Sequence, residues 1–196
     1  MAVKIVVPPA TEPVALNLLR DHLRIVHDDE DHVLEQYLSA ARMYAETTLC
    51  WRAFITQDLE LVFDRWPGRY QQEVRLPRPP LQEVLSVKYK DRDNVEHTIH
   101  EDDYIVDVDS EPGRVIPVTS WPSGLAKANG IRIQYRAGYG DTPDDVPTEI
   151  RQGILILAGH FFEVREPVVI GTSVMVVPMT VESLLMPFRC WGGDVG

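Results

Sequence analysis

The stretch DDEDHVLEQYLSAARMYAETTLC, residues 28–50, contains one long amphipathic pattern. Its apolar residues recur at three- and four-residue steps, the spacing of one face of an α-helix. These residues are Val33, Leu34, Tyr37, Leu38, Ala41, Tyr44, Ala45 and Leu49. Acidic residues over 28–31 stand where the helix is expected to begin, because negative charge there complements free backbone N–H groups and the helix dipole. The pattern predicts a helix over about 28–50 whose apolar face needs a partner.

The segment 147–166 is the other stretch apolar enough to cover that face over several turns. Asp144 or Asp145 is placed to cap it. Gly153 and Gly159 each cost about 1 kcal/mol of helix propensity relative to Ala, so we expect another backbone to approach closely there. The apolar stripe of this helix consists of Ile150, Ile154, Leu157 and Phe161. We predict that the two long helices form the core of a small helical body.

Shorter elements flank these helices. Residues 1–10 are apolar and end in prolines, which predicts an extended arm that either frays or adds to a neighbour. Thr11 is placed to cap a short docking helix that runs through Leu23. Thr180 is placed to cap a last short helix over 181–186.

Between the two long helices, the apolar period changes from helical to two-residue near Ala53. Short alternating segments separated by Pro, Gly, Asp and Asn predict an antiparallel sheet or a small barrel-like section. The expected strands are 54–63, 73–76, 81–89, 95–99, 104–108, 114–116 and 131–137. The predicted class is therefore α+β, with a helical body from residues 1–52 and 138–196 and an inserted β domain over 53–137.

Composition narrows the classes of function. The chain has 196 residues, 44% hydrophobic and 25% charged, with no apolar run of the roughly 18 residues that a membrane span needs. The opening MAVKIVVPPA is too short for a secretory signal, so we expect synthesis in a cytoplasm and no membrane partner. Cys50 and Cys190 have no metal-ligand spacing and are interpreted as ordinary thiols.

The formal net charge of −11, from 19 basic and 30 acidic residues, argues against a surface that grips nucleic acid. An acidic wall would let DNA pass without sticking to it. A DNA-packaging factor that binds DNA directly would need a segregated basic patch. The candidates for such a patch are Arg65, Arg69, Arg75 and Arg78.

The chain lacks the short sequence signatures of common enzymes. It contains no phosphate loop, dinucleotide fingerprint, nucleophile elbow or HExxH helix. His160, Glu163 and Glu149 could together imitate a metal or acid–base site, which leaves a small metal-dependent hydrolase as the alternative function. His97 and His100 lie in an acidic loop that could bind a cation adventitiously. The expectation is that there are no catalytic, cofactor-binding or metal-binding residues.

Several motifs, in order, carry a family resemblance. They are Leu76-Pro77-Arg78-Pro79-Pro80-Leu81 leading to Val87-Lys88-Tyr89, then Tyr135-Arg136-Ala137-Gly138-Tyr139-Gly140, Val146-Pro147 opening a helix, and Leu184-Leu185-Met186-Pro187-Phe188-Arg189. With their spacing, the chain from about residue 12 to residue 191 resembles the phage head-tail connector (adaptor) family, in its long form with an inserted β section.

The resemblance implies a structural protein without an active site. Family members assemble as a ring, typically of twelve subunits, beneath the portal of a tailed phage or a related gene transfer particle. The ring extends the DNA channel, and DNA passes through its lumen without specific binding. A head-completion (stopper) or tail-terminator protein binds the ring next. The implied location is the head–tail interface of a virion made in a bacterial cytoplasm.

Within that resemblance, the C-terminal residues Phe188, Arg189 and Trp191 are the candidate portal-docking segment. Arg and Trp are the residue types that dominate the energy of interfaces. The alternative is that Phe188 closes the helical core and Trp191 is ordered surface.

Overall fold

The computed structural model describes residues 1–68, 72–164 and 177–190, and over these residues the chain forms two compact units. One unit is helical and contains Thr11–Ile55 and Gly140–Arg189. The other is mainly β and contains Met1–Ala10, Thr56–Tyr139 and the described residue Cys190. The α+β class predicted from the sequence is confirmed.

The helical unit contains four α-helices in the part of the chain that the structure describes. They are α1 (Leu16–Leu23), α2 (Asp31–Tyr44), α3 (Thr148–Glu163) and α4 (Met179–Leu185). A π-helical turn (Ala45–Cys50) continues α2, and 3-10 turns precede α3 (Pro143–Asp145) and follow α4 (Met186–Phe188). The last residues predicted for the second long helix, 165 and 166, lie outside the described ranges.

The two long helices pack against each other, which confirms the predicted pairing. The buried residues of the pair include Leu34, Leu38 and Ala41 on α2 and Ile150, Ile154 and Leu157 on α3. Burying each Leu or Ile contributes about 1.5–3 kcal/mol. Two edge-to-face ring pairs extend the contact: Tyr37 with Phe162, whose centroids are 6.2 Å apart, and Tyr44 with Phe161, at 6.4 Å. The apolar stripe of residues 28–50 is therefore covered by α3.

The acidic start of the long helix differs from the prediction. Helix α2 begins at Asp31, and Glu30 at its N-cap position makes no side-chain capping bond. The backbone carbonyl of Asp28 accepts the Asp31 N–H at 3.1 Å, so the first acidic residues form a turn. Arg20 of α1 donates from Nε to Asp31 Oδ1 at 2.6 Å. The acidic cluster therefore ties α1 to α2.

Helix α1 also begins later than predicted. Its first residue is Leu16 and its N-cap is Ala15, so Thr11 does not cap it. The reason is local, since Glu12 precedes Pro13 and a residue before proline is driven away from the helical region.

The starts of α3 and α4 are set by prolines. Pro147 occupies the N-cap position of α3, and Pro178 that of α4, so Thr180 lies inside α4 and does not cap it. The Asp145 carboxylate accepts the backbone N–H of Thr142 at 2.9 Å and its hydroxyl at 2.8 Å, and so caps the preceding 3-10 turn. The predicted capping role of Asp145 was thus placed on the wrong element.

Side chains approach the two helix glycines, whereas a backbone was predicted to do so. A Cβ on Gly153 would lie 2.9 Å from Cδ2 of Leu185, and a Cβ on Gly159 would lie 3.2 Å from Cδ2 of His22. Gly153 therefore makes room for α4, and Gly159 makes room for α1.

The β unit contains eight strands among the described residues, arranged in two sheets. They are β1 (Ala2–Val7), β2 (Gln57–Phe63), β3 (Val74–Arg75), β4 (Leu81–Lys90), β5 (Glu96–Ile99), β6 (Tyr104–Asp107), β7 (Arg114–Pro117) and β8 (Ile131–Ala137). The five-stranded sheet has the order β1-β2-β8-β4-β5, and the three-stranded sheet has the order β3-β7-β6. Each strand pair within the two sheets is antiparallel, as predicted.

Strand β8 is the centre of the larger sheet because it pairs with β2 on one side and β4 on the other. Its residues alternate between buried and half-exposed along the whole strand. On the buried face, the Tyr135 hydroxyl donates to the carbonyl oxygen of Pro77 at 2.7 Å. On the other face, Arg136 bridges Asp58 at 2.8 Å and Glu83 at 2.7 Å, which links three neighbouring strands.

The N-terminal arm forms β1 and pairs with β2 of the same chain, from Ala2 opposite Val62 to Val7 opposite Asp58. The sequence pattern predicts that residues 1–52 belong to the helical body. The structure instead groups Met1–Ala10 with the β unit, because the backbone of β1 completes the hydrogen bonding of β2. The remaining boundaries of the two predicted domains stay a prediction.

Candidate assembly interface

The C-terminal segment, residues 177–190, contains two of the three candidate portal-docking residues, and below it is called the docking segment after that prediction. It is fixed to the helical unit by the buried side of α4. Val181 and Leu185 are fully buried there. The Cys50 thiol donates a weak hydrogen bond to the carbonyl oxygen of Leu185, with sulfur and oxygen 3.8 Å apart. Burial raises the pKa of Cys50 to about 12, so this thiol is protonated and unreactive in the folded chain.

The end of the docking segment is held by a buried arginine. Arg52 donates from Nε to the carbonyl oxygen of Phe188, and its side chain is almost entirely buried. The Phe188 side chain is half-buried and Arg189 is exposed. The structure thus brings two of the three predicted portal-docking residues together at the end of one anchored segment. The third, Trp191, lies outside the described residues.

A buried carboxylate fixes the π-helical turn that receives this segment. Glu46 is 1% exposed, and its Oε1 accepts the backbone N–H of Phe54 at 2.8 Å. Its Oε2 accepts from Nη1 of Arg42 at 3.1 Å, and its backbone carbonyl accepts the N–H of Arg52 at 3.1 Å. The exit of the long helix is therefore closed by one side chain with several partners.

Arg42 connects this turn to the start of the helical unit. It donates from Nε to Glu12 Oε2 at 2.7 Å while also contacting Glu46. Burial alone would lower the pKa of Arg42, but the hydrogen bonds and charges of Glu12 and Glu46 raise it above its usual value. The guanidinium therefore stays charged and both carboxylates have a partner.

Exposed apolar side chains lie in the two turns that contact each other here. The π-helical turn packs against the 3-10 turn that follows α4. Trp51, directly after the former, is 40% exposed and has a left-handed backbone with φ of 55°. Met186, in the latter, is 64% exposed. Because exposed Trp and Met are enriched at protein interfaces, this arrangement is suited to bind another protein.

Sequence reasoning missed Arg52, Glu46 and Trp51 as parts of the site. A signal existed for the buried charges, since Arg42 follows Leu38 by four residues on the apolar stripe and Glu46 follows Arg42 by four. The π-helical geometry that places Trp51 had no comparable signal. Such turns recur at functional sites.

The residues of the hydrolase alternative do not converge. Glu149 and Glu163 lie at opposite ends of α3, about 21 Å apart along the helix axis, and both are exposed. His160 packs near Phe161 with ring centroids 6.5 Å apart. Across the ranges 1–68, 72–164 and 177–190, no group of three His, Cys, Asp or Glu side chains is placed to hold a metal ion.

The two loop histidines have local partners. His97 stacks on Tyr89 and lies 2.7 Å from Asp91, measured from Nε2 to Oδ2. His100 accepts the backbone N–H of Asp102 and so caps a short 3-10 turn. His97 therefore supports the pairing of β4 with β5, and His100 stabilises the start of a turn.

The arginines proposed for a DNA-binding patch do not form a free basic face. Arg75 is paired with Glu73 at 2.9 Å. Arg78 has Nε and Nη1 buried, and Arg69 lies outside the described residues. Arg65 alone of the four is described, exposed and free of a described ion pair.

None of the described helices has the length and hydropathy of a membrane span.

Comparisons with known proteins give one family match and several structural matches. The model of the family "Phage gp6-like head-tail connector protein" matches residues 14–111. No curated protein matches the chain.

Among solved structures, a chain in the neck of an empty gene transfer agent (GTA) particle computed with C6 symmetry is similar, with a TM-score of 0.81. A chain of the virion of a native GTA particle gives 0.79, and one in the neck of a native GTA particle computed with C12 symmetry gives 0.77. Each is 22% identical to this chain, and each match covers 100% of this chain and 99% of the other. At this identity the likeness shows that the fold is shared over the whole chain.

Proposed function

The chain belongs to the phage gp6-like head-tail connector protein family, and from that premise we propose that it is a ring-forming structural subunit of the head–tail joint of a tailed phage or gene transfer particle. The resemblance found in its motifs is confirmed by the family match. The shared fold supports the proposal, since chains of the same fold occur in the neck of GTA particles.

The observation that carries the proposal is the anchoring of the docking segment. Arg52 fixes the backbone at Phe188, while α4 is locked by Leu185 against Gly153. A segment held this firmly presents its last side chains in a fixed geometry, which lowers the entropic cost of binding. We propose that Phe188, Arg189 and Trp191 dock onto the portal protein.

The number of subunits is proposed to be twelve. A similar chain lies in a GTA neck computed with C12 symmetry, and a head-to-tail contact closes into a ring when its rotation allows. A ring of chains with a formal net charge of −11 each would repel DNA, which suits a channel that DNA must pass without binding. On its far side, the ring would receive a head-completion or tail-terminator protein.

We propose that the protein has no enzymatic activity. The separation of Glu149 from Glu163 supports this, because an acid–base or metal site needs its groups within a few ångströms of one reacting atom. We propose that the β unit corresponds to the insertion that distinguishes the longer family members from the short helical ones.

Electron microscopy of particles from a host in which this gene alone is deleted tests the proposal. The expected result is tailless heads that have packaged DNA or have leaked it, with tails restored by the gene supplied in trans. Normal tailed particles from the deletion strain would refute the connector role.

A further inference from the structure

Strand β1 is apolar, yet it contributes almost nothing to the core of its own sheet. Ile5, Val6 and Val7 are 41%, 45% and 50% exposed, although consecutive residues of a strand point to opposite faces. Both faces of β1 are therefore exposed to solvent. By contrast, five residues of the neighbouring β2 are buried: Gln57, Leu59, Leu61, Val62 and Phe63.

The outer edge of β1 is also free in the described chain. The strand is last in the order β1-β2-β8-β4-β5, so its backbone pairs with β2 on one side and with no described strand on the other. The pairing register slips between Ile5 and Val7, which leaves Val6 without a partner residue on β2. An exposed, apolar edge strand is a template for pairing with another chain.

The charge of this arm favours a second copy of this chain as its partner. Residues 1–10 contain Lys4 and no acidic residue, whereas the whole chain has a formal net charge of −11. A second copy of this chain is therefore an acidic surface that attracts the arm. Backbone N–H and C=O groups along a free strand edge can pair with the backbone of another polypeptide, which a neighbouring copy supplies in every subunit of a ring.

Two-fold symmetric pairing of β1 with β1 would give dimers and no ring. The contact must therefore join β1 to a different surface of the next subunit. A heterologous contact of this type repeats around the ring and buries each β1 once.

We propose that β1 is an inter-subunit strand, which docks onto the neighbouring copy of this chain in the assembled ring. This inference rests on the proposed function, because it needs a ring in which each copy has a neighbour. It gives a reason for the exposed apolar residues of β1, which are covered only on assembly.

A photo-cross-linking amino acid, p-benzoylphenylalanine, placed at Val6 tests the inference in assembled particles. Val6 is suited to this because it is exposed and lies outside the β1–β2 register. Irradiation of purified particles should convert the chain to a covalent dimer on a denaturing gel, and mass spectrometry should find both linked peptides in this protein. The same amino acid at Val118, an exposed position after β7, should give at least tenfold less dimer.

Cross-links from position 6 to the portal or another particle protein, or no cross-link in particles that contain the chain, would overturn the inference and leave the proposed function intact. Absence of the chain from wild-type particles would overturn the proposed function itself. A second variant distinguishes failure of the inference from failure of the proposed function. Val6→Glu should leave the thermal midpoint of the isolated chain within 2 °C of wild type and lower the yield of tailed particles at least tenfold, and an unchanged yield would contradict the inference.

Discussion

Arg52 donates a hydrogen bond from Nε to the backbone carbonyl of Phe188 and so holds the end of the docking segment. Arg52 lies two residues after the π-helical turn. The bond joins positions 136 residues apart in sequence, and it lies next to the buried Glu46 that closes the same turn. Because the acceptor is a backbone atom, the position of Phe188 is fixed whatever its side chain contacts. The hold on this segment is therefore independent of what the side chains of Phe188 and Arg189 contact.

Reversing the charge of Arg189 should weaken binding to the portal. Arg189 is exposed at the end of the anchored segment, and truncating an interface anchor typically costs about 2 kcal/mol or more. We expect Arg189→Glu to raise the Kd for purified portal at least tenfold, measured by biolayer interferometry. Lys127→Glu makes the same charge change at an exposed residue of the β unit and should leave the Kd within twofold. Equal effects of the two variants would show that net charge, and no specific contact, controls binding.

Cys50 should resist alkylation as long as α4 is in place. Its thiol is fully buried, its pKa is raised to about 12, and its hydrogen bond goes to Leu185 of α4. Iodoacetamide at pH 8 should label Cys50 in urea and leave it unlabelled in buffer, as followed by peptide mass spectrometry.

Gly153→Val should remove that protection. A Cβ at Gly153 would already be 2.9 Å from Leu185, and the branched side chain of Val leaves α4 no room. Cys50 should then be labelled at least tenfold faster in buffer. Gly68→Val is the matched control, because a Cβ there meets nothing within 4 Å. Labelling that is unchanged in Gly153→Val would contradict the packing described for α4.

Removing the buried carboxylate of Glu46 should destabilise the helical unit. Glu46→Ala leaves the N–H of Phe54 and one side of Arg42 without their acceptor, and breaking a buried ion pair costs about 3–5 kcal/mol. Glu46→Gln should cost less, since its amide oxygen still accepts the N–H. Glu35→Ala, at an exposed position of α2, should change the free energy of unfolding by about 0.5 kcal/mol or less. Urea unfolding monitored by circular dichroism measures all three. A loss below about 1 kcal/mol for Glu46→Ala would contradict the role assigned to this residue.

Asp107 should contribute stability that is lost in acid. Hydrogen bonds from Ser110 and Arg114 lower its pKa from the ordinary 3.8 to about 2. A carboxyl whose pKa is lower in the folded state stabilises the fold above its unfolded pKa, and this contribution disappears as the pH falls through the folded value. The difference in unfolding free energy between wild type and Asp107→Asn should be constant above about pH 5 and shrink between about pH 4 and pH 2.

The control substitution is Asp109→Asn, at an exposed neighbouring position. Asp109→Asn should change the unfolding free energy at pH 7 by about 0.5 kcal/mol or less. A difference for Asp107→Asn that stays constant down to pH 2 would show that the ion pair with Arg114 does not depend on the charge of Asp107.

The long helices and the strands could be predicted from the sequence, because each has a regular spacing of apolar residues. The packing of α2, with Leu34 and Leu38, against α3, with Ile150 and Ile154, was predicted correctly. The reason is that only two segments were long and apolar enough to pair. The strands were predicted for the same reason, since Tyr135 and its neighbours alternate along β8.

Details that depend on tertiary contacts were not predictable. Asp31 carries the signature of a helix cap, but its partner proved to be Arg20 on another helix. The arm containing Val6 has no local signal for the unit it joins, because pairing with β2 is a contact between residues far apart in sequence. The π-helical turn that positions Trp51 is stabilised by the hydrogen bond between Glu46 and the Phe54 N–H, and helix propensities do not encode such a contact.

The central claim is that this chain forms a ring at the head–tail joint, and cryo-electron microscopy of the neck of intact particles tests it most directly. We predict density for this fold beneath the portal in twelve copies, with the segment ending at Arg189 against the portal. Particles whose neck density accommodates no copy of the fold, although the gene is expressed, would contradict the account.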